Sequence, residues 1–208
     1  MKSEELINIL AQSEPKKPIM KLGSLATCLI ALCGLLTKLW LGLRPELDAM
    51  TITMSFCFKT LILSSLVLLS LNALKSSSLP LGKFTLKQFA IFLAVILCSA
   101  LVYEWTTTPV ARIANLFLLP NFKSCLAYVT LYGLFASIPI FLLIKNSAPL
   151  HYKRTAGLIG LASACISALG YSIHCPIDSP TFIVVAYGLP QLTLYIVSRL
   201  TLPHFLRW

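Results

Sequence analysis

The residues best suited to chemistry lie in one short polar segment between two long apolar runs. His174, Cys175 and Asp178 place an imidazole, a thiol and a carboxylate within five residues. Nitrogen, sulfur and oxygen donors together suit a soft or borderline metal ion, although this spacing matches no structural zinc motif. If both flanking runs cross a membrane, the segment lies on one face of the bilayer, where a soluble signal can reach it.

The seven cysteines divide by position, and the division identifies a second candidate thiol. Five fall inside apolar runs, where cysteine is typically a small hydrophobic filler: Cys28, Cys33, Cys57, Cys98 and Cys165. Cys125 opens a later apolar run, on the same predicted oxidising side as Cys175, where disulfides persist. Three alternatives stay open for this pair: a redox- or metal-responsive site, a static disulfide, or two unpaired thiols. A disulfide needs Cα atoms within about 7 Å, which sequence does not give.

Several ionisable residues fall near the same face of the predicted membrane domain. Arg44, Lys59, Glu104 and Asp178 are expected to form structural ion pairs that hold helix ends together. Lys59, like Lys38, lies near a helix end, and its long side chain is expected to reach the outer interface. The functional alternative is that Lys59, with Glu104 or Asp178, tunes the state of the nearby thiols.

The elements that position these residues are predicted to be membrane helices. Hydrophobic residues make up 57% of the 208-residue chain and charged residues only 12%, too few to cover a soluble domain. Six apolar runs have roughly the length that an α-helix needs to cross a bilayer, and the alternating segments of a β-barrel are absent. The sequence therefore predicts an all-α bundle of six transmembrane helices, at about 22–43, 52–74, 86–104, 125–144, 155–173 and 181–200. An interfacial helix is expected between the third and fourth spans.

The charge distribution predicts the orientation of this bundle. The net charge of +10 comes from 17 Lys and Arg residues, and twelve of them fall in the termini and in the second and fourth connections. An excess of Lys and Arg marks cytoplasmic segments, so both termini are predicted to be cytoplasmic. The basic balance then reflects topology and anionic lipid headgroups, and direct binding of nucleic acid is not expected.

Residues 1–21 form the cytoplasmic segment that is long enough to bind a partner. Ser3 can cap a short helix in which Leu6, Ile7 and Leu10 form an apolar stripe. A helix this short is marginal alone in water and is stabilised when its stripe docks on a protein groove. The alternative is a segment that lies on the membrane surface or stays disordered. The predicted organisation is then this segment, a transmembrane domain over 22–204 and a cytoplasmic tail over 205–208.

Five sequence elements, taken in order, resemble the NrsF-type family of bacterial six-helix membrane anti-sigma factors, and the resemblance covers essentially the whole chain. The most specific element is the His-Cys-x-x-Asp-Ser-Pro segment between the fifth and sixth predicted helices. The elements are Glu4-Glu5-Leu6-Ile7, Gly42-Leu43-Arg44-Pro45-Glu46-Leu47, Phe56-Cys57-Phe58-Lys59, Ser124-Cys125-Leu126, and His174-Cys175-Pro176-Ile177-Asp178-Ser179-Pro180-Thr181-Phe182 with Tyr187 beyond it.

The resemblance implies a function for both faces of the membrane. It implies that the amino-terminal segment binds an extracytoplasmic-function sigma factor at the bacterial inner membrane and keeps it from RNA polymerase; the expected contact residues are Glu4, Glu5, Leu6, Ile7 and Leu10. It also implies that periplasmic Cys125 and Cys175 sense metal or oxidative stress. A transient soft metal ion would use Cys125, His174, Cys175 and Asp178, and no resident cofactor is expected.

Two other function classes fit the sequence less well. A membrane thiol-disulfide oxidoreductase needs closely paired cysteines, and this chain has no Cys-x-x-Cys motif. A small transporter is disfavoured because no internal repeat is visible and no carboxylate falls at the centre of a predicted span. No arrangement of residues suits hydrolase or transferase chemistry, so the chain is not expected to be an enzyme.

Overall fold

The computed structural model describes residues 22–44, 53–78, 87–118, 120–145 and 151–206. Within these ranges all regular structure is helical, which confirms the all-α class. The eight helices of the described residues are α1 (Leu22–Leu41), α2 (Met54–Ser78), α3 (Lys87–Thr107), α4 (Val110–Leu118), α5 (Pro120–Lys145), α6 (Tyr152–Tyr171), α7 (Pro180–Thr201) and α8 (Pro203–Leu206). The α7 helix contains one π-helical turn, Ile183–Tyr187.

Five of these helices, α1, α2, α3, α5 and α7, are long and apolar enough to cross a membrane. Large apolar side chains such as Leu39, Phe92 and Leu142 are exposed on their outward surfaces, as expected for helices that face lipid. The sequence predicted a sixth span where α6 lies. This helix has 20 residues but is less apolar, because Lys153 and Arg154 occupy its first turn and several glycines and serines follow.

The α6 helix lies at the centre of the bundle and packs against α1, α2, α5 and α7. Fifteen of its 20 residues are buried, so small side chains are needed where its neighbours approach. A Cβ atom at Gly160 would lie 2.2 Å from the Leu194 carbonyl oxygen of α7, and one at Gly170 would lie 2.5 Å from Cys33 Cβ of α1. Only glycine permits these two approaches, which fix the position of α6 within the bundle.

The segment between α3 and α5 differs in detail from the prediction. The expected interfacial helix corresponds to α4, which buries Ile113 and exposes Val110 and Leu118. The α5 helix begins at Pro120, five residues before the predicted start. Proline is favoured in the first turn because its missing N–H has no partner there anyway. Cys125 consequently lies in the second turn of α5, where its side chain is buried among neighbouring helices.

Candidate functional site

The turn that joins α6 to α7 is fastened to the end of α1. Gly42 ends α1 in the left-handed region, with φ of +81°, which glycine adopts without strain. Beyond this point the Gly42 carbonyl oxygen lies 3.0 Å from His174 Nδ1. The Arg44 N–H donates a hydrogen bond to the Ile173 carbonyl oxygen at 3.2 Å. His174 therefore acts in this structure as a bridge between the turn and α1.

Asp178 is the centre of an ion-pair cluster formed with Arg44 and Lys59. Arg44 donates two hydrogen bonds, 3.0 Å from Nη1 to Oδ1 and 2.9 Å from Nη2 to Oδ2. Lys59 Nζ lies 2.5 Å from Oδ1. Burial by itself would raise the pKa of the Asp178 carboxyl, but the hydrogen bonds and charges of Arg44 and Lys59 outweigh it and hold that pKa below its usual range. Asp178 is therefore ionised at neutral pH.

Lys59 is fully buried, which corrects the expectation that its side chain reaches the outer interface. Besides contacting Asp178, its Nζ donates to the Cys175 carbonyl oxygen at 2.7 Å and to the Ile177 carbonyl oxygen at 3.2 Å. The side chain turns inward because these three acceptors offer a complete set of partners within the protein. Lys59 thus holds the backbone on both sides of Pro176.

The ring of Phe56 adds a second contact to both cations of the ion-pair cluster. The Arg44 guanidinium carbon lies 4.9 Å from the ring centre, and Lys59 Nζ lies 5.9 Å from it. Both distances fall within the range of cation–π attraction. Phe56 therefore helps to keep the two positive charges together beside Asp178.

Glu104 does not join this cluster and instead binds the first turn of α7. Its carboxylate accepts hydrogen bonds from Ser179 Oγ, from the Thr181 N–H at 2.8 Å and from Thr181 Oγ1 at 2.8 Å. Trp105 Nε1 also donates to Thr181 Oγ1, at 3.0 Å. A carboxylate at a helix N-terminus is favoured by the helix dipole, so these contacts tie the end of α3 to the start of α7.

Cys125 and Cys175 are brought into one buried cluster directly beneath the turn. The cluster consists of the two cysteines with Tyr171, Phe182 and Tyr187. The exposed fractions of Cys125 and Cys175 are 0% and 1%, and both thiols are free. We call this group the thiol cluster.

The weak hydrogen bonds of the two thiols involve the turn and the π-helical segment. Cys175 Sγ lies 3.9 Å from the Ile177 carbonyl oxygen, and Cys125 Sγ lies 3.8 Å from the Ala186 carbonyl oxygen. Pro190 stands four residues after Ala186 and has no N–H to offer that carbonyl. The Ala186 carbonyl therefore cannot accept the usual α-helical hydrogen bond from residue 190, and the Cys125 thiol donates a weak hydrogen bond to it instead.

The remaining candidate residues differ in where the structure places them. Cys33 and Cys165 are buried fillers, whereas Cys28, Cys57 and Cys98 are exposed on helix surfaces. Within the described ranges, no group of three His, Cys, Asp or Glu side chains is placed so that it could hold a metal ion. Metal binding stays a prediction. The expected partner-binding residues, Glu4, Glu5, Leu6, Ile7 and Leu10, lie outside the described residues.

The sequence analysis assigned no individual role to several residues that shape the site, although Ser179, Thr181 and Phe182 belong to its most specific motif. Tyr171 and Phe182 enclose the thiols, and Ser179 and Thr181 bind Glu104. A usable signal existed for the start of α7, because Ser179 followed by Pro180 is a typical N-cap and first-turn pair. No comparable signal marks Tyr171 or Phe182, because aromatic residues beside apolar runs are common.

Comparisons with known proteins identify the family of this chain. A family model described as "Negative regulator of sigma F" matches residues 8–208. The protein named "Anti-sigma-F factor NrsF" of Caulobacter vibrioides (strain NA1000 / CB15N) is 28% identical over 227 aligned positions, which cover 100% of both chains. No solved structure matches the chain at a significant level. The chain with the buried thiol cluster and the Asp178 ion pairs therefore belongs to the NrsF family of anti-sigma factors, the negative regulators of sigma F.

Proposed function

We propose that this protein holds an extracytoplasmic-function sigma factor at the inner membrane through residues 1–21 and releases it when Cys125 and Cys175 are oxidised. The observation that carries the proposal is the thiol cluster, because two free thiols from different elements are buried together beside the end of α1. The other end of α1 continues directly into residues 1–21. One helix therefore connects the thiols with the segment that would bind the sigma factor.

The oxidation step joins two parts of the bundle that are separate in the reduced protein. A low-molecular-weight disulfide would accept two electrons and two protons and leave as two thiols, while Cys125 and Cys175 form one disulfide bond. The S–H donors to the Ala186 and Ile177 carbonyl oxygens are lost in the process. The start of α7 and the turn must then rearrange, since both carbonyls lose a partner.

The rearrangement would reach α1 through contacts already present in the reduced state. Arg44 and His174 tie the turn to the end of α1, so a moved turn pulls on that helix. Keeping a sigma factor bound in one state and free in the other needs roughly 3–5 kcal/mol of differential affinity. A disulfide contributes about 2–4 kcal/mol to the state that it favours, which is the required order.

The topology that the mechanism needs has six spans, with α6 as the fifth and both termini in the cytoplasm. The charge distribution supports it, and so does the position of α6 among four neighbouring helices.

Reporter fusions test this topology. Alkaline phosphatase is active only outside the cytoplasm, whereas green fluorescent protein serves as the cytoplasmic reporter. After Trp208, a green fluorescent protein fusion should be fluorescent and an alkaline phosphatase fusion should be inactive. After Pro176, the phosphatase fusion should be active and the fluorescent protein fusion should be dark. Active phosphatase after Trp208 would mean an odd number of spans and would end the proposal.

Co-purification tests the amino-terminal site. The sigma factor should co-purify with the wild-type protein and be lost from the variant Leu6→Glu/Leu10→Glu, because two charges would enter the apolar stripe. The matched control is Asn8→Glu/Gln12→Glu, which adds the same charges on the opposite helix face and should retain the sigma factor. Equal loss from both variants would show that added charge, rather than the stripe, decides binding.

A further inference from the structure

A second candidate site lies at the end of the bundle opposite the thiol cluster. A cavity of about 420 Å³ opens there and is lined by His151, Tyr152, Lys153, Arg154 and Arg199. The first four residues begin α6, and Arg199 lies in the last turn of α7. Two neighbouring helix ends therefore bring three formal positive charges to one cavity.

These charges are not neutralised by the described part of the protein. Its two carboxylates, Glu104 and Asp178, are both engaged at the other end of α6, about 30 Å away for a helix of 20 residues. Among the described residues, the ion pairs formed are those of Asp178 with Arg44 and Lys59, so Lys153, Arg154 and Arg199 take no part in one. A cavity with an uncompensated positive field attracts an anion.

The geometry of the cavity favours a group with several acceptor oxygens. Arg199 Nη1 donates to Tyr195 Oη at 3.0 Å, and the guanidinium carbon lies 5.8 Å from the Tyr195 ring centre. Arg199 is thereby held at the cavity, with further N–H donors to offer. His151, the N-cap of α6, forms no side-chain cap hydrogen bond, so the first-turn N–H groups of that helix can supplement these donors. Phosphate oxygens match such a set.

An apolar surface continues from the cavity along α7. Leu192 and Ile196 precede Arg199 by seven and three residues, which places all three on one helix face. Their exposed fractions are 56% and 46%, although both are large apolar side chains. A soluble phosphate compound would contact only the cations, whereas a lipid would contact the cations with its headgroup and this surface with an acyl chain.

We propose that the cavity between the ends of α6 and α7 binds an anionic phospholipid. Lys153, Arg154 and Arg199 contact the headgroup phosphate, and one acyl chain lies along Leu192 and Ile196. The site shares no residue with the thiol cluster or with residues 1–21, so it adds a lipid-binding function to the proposed regulatory one. Basic pockets between membrane helices bind anionic headgroups in this way.

Titration of phosphatidylglycerol into the purified full-length protein in detergent tests the site, with native mass spectrometry to count bound lipids. The variant Lys153→Gln/Arg154→Gln/Arg199→Gln should bind the first lipid about a hundredfold more weakly. The control variant Lys38→Gln/Arg112→Gln/Lys123→Gln removes three exposed charges near the opposite end of the bundle and should bind like the wild type. Equal weakening in both variants would overturn the proposal, since net charge alone would then govern binding.

Three competitors distinguish a lipid from other ligands. Phosphatidylcholine should bind far more weakly than phosphatidylglycerol, and glycerol phosphate should not displace the lipid at comparable concentration. A peptide of residues 1–21, which carries Glu4, Glu5 and Glu14, should not displace it either. Effective competition by glycerol phosphate would assign the site to soluble phosphates, and competition by the peptide would assign it to the chain's own amino-terminal segment, through its three glutamates.

Two features keep this test independent of folding and of the sigma factor. If the triple variant does not yield monodisperse protein, Arg199→Gln alone should weaken the first binding event about fivefold. Wild-type affinity in that single variant would contradict the proposed headgroup contacts. No sigma factor is present in the titration, so a failure of the regulatory proposal leaves the lipid result unchanged.

Discussion

Lys59 shows how a single charged residue organises the end of the bundle that contains the thiol cluster. An ammonium group has three N–H donors, and Lys59 directs them toward the Cys175 carbonyl, the Ile177 carbonyl and the Asp178 carboxylate. A buried charge is tolerated only when its partners are complete. The conformation of the Cys175 turn therefore depends on the charge of Lys59 and on the carboxylate that balances it.

Replacing Asp178 with Asn should destabilise the protein by about 3–5 kcal/mol, because a buried Lys59 charge would lose its counter-ion. The free energy of unfolding can be measured by chemical unfolding in detergent micelles. The exposed Lys123 offers a control, since Lys123→Gln should change stability by less than about 0.5 kcal/mol.

A double variant separates the ion pair from simple loss of packing. Adding Lys59→Met to Asp178→Asn removes one of the two buried positive charges that Asp178 balances and should recover part of the lost stability, although the hydrogen bonds to the Cys175 and Ile177 carbonyls would also be lost. Purely additive losses in the double variant would show that Lys59 and Asp178 are not energetically coupled.

At the level of single residues, the sequence indicates which charged residues lie near one membrane face. It does not indicate whether each side chain points into the bundle or toward the outside. Arg44, Lys59 and Asp178 were expected near each other because they lie close to predicted helix ends of one face. Lys59 points inward because of how α2 is rotated about its axis. The sequence does not reveal this rotation, because a membrane helix carries apolar residues on all sides. Glu104 was assigned to ion pairs, yet hydroxyl and N–H donors of α7 satisfy it instead.

At the scale of the helices, α6 determines how closely the bundle packs. At Gly160 an added methyl group would meet the backbone of Leu194, which cannot move aside as a flexible side chain can. Substitution of Gly160 by Ala should destabilise the protein by about 1–3 kcal/mol, because the new Cβ would overlap the Leu194 carbonyl group. Chemical unfolding in micelles checks this value.

Gly188 in α7 is the matched control for that substitution. No atom lies within 4 Å of the position that its Cβ would occupy, so Gly188→Ala should leave stability unchanged or raise it slightly through helix propensity. Equal destabilisation by both substitutions would mean that backbone flexibility, rather than close packing, explains the glycine at position 160.

Helix positions were largely predictable, whereas the irregular parts of the helices were not. Apolar run length located α1, α2, α3, α5, α6 and α7 to within a few residues, because the chain must satisfy its backbone groups inside a bilayer. The π-helical turn Ile183–Tyr187 was not foreseen, although Pro190 indicated an interrupted hydrogen-bond pattern in α7. The burial of α6 could not be predicted from the sequence either, because hydropathy does not show which helix lies at the centre of a bundle.

At the scale of the whole molecule, the described chemistry is divided between two ends of a helix bundle. The thiol cluster and both carboxylates lie at one end, and the basic cavity lies at the other. α1 is fastened at the thiol end by the Gly42–His174 contact, and residues 1–21 precede it in the chain. Under the proposed function, the oxidation state of two buried thiols should therefore change binding at a distant segment.

The most direct test measures sigma-factor retention on membranes that carry this protein, before and after treatment with the thiol oxidant diamide. Wild-type membranes should lose the sigma factor, with affinity falling about a hundredfold or more, and a reductant should restore binding. Membranes with Cys125→Ser/Cys175→Ser should retain the sigma factor throughout. Equal release from the double-serine variant, or full retention by wild-type protein in which the Cys125–Cys175 disulfide has formed, would contradict the account.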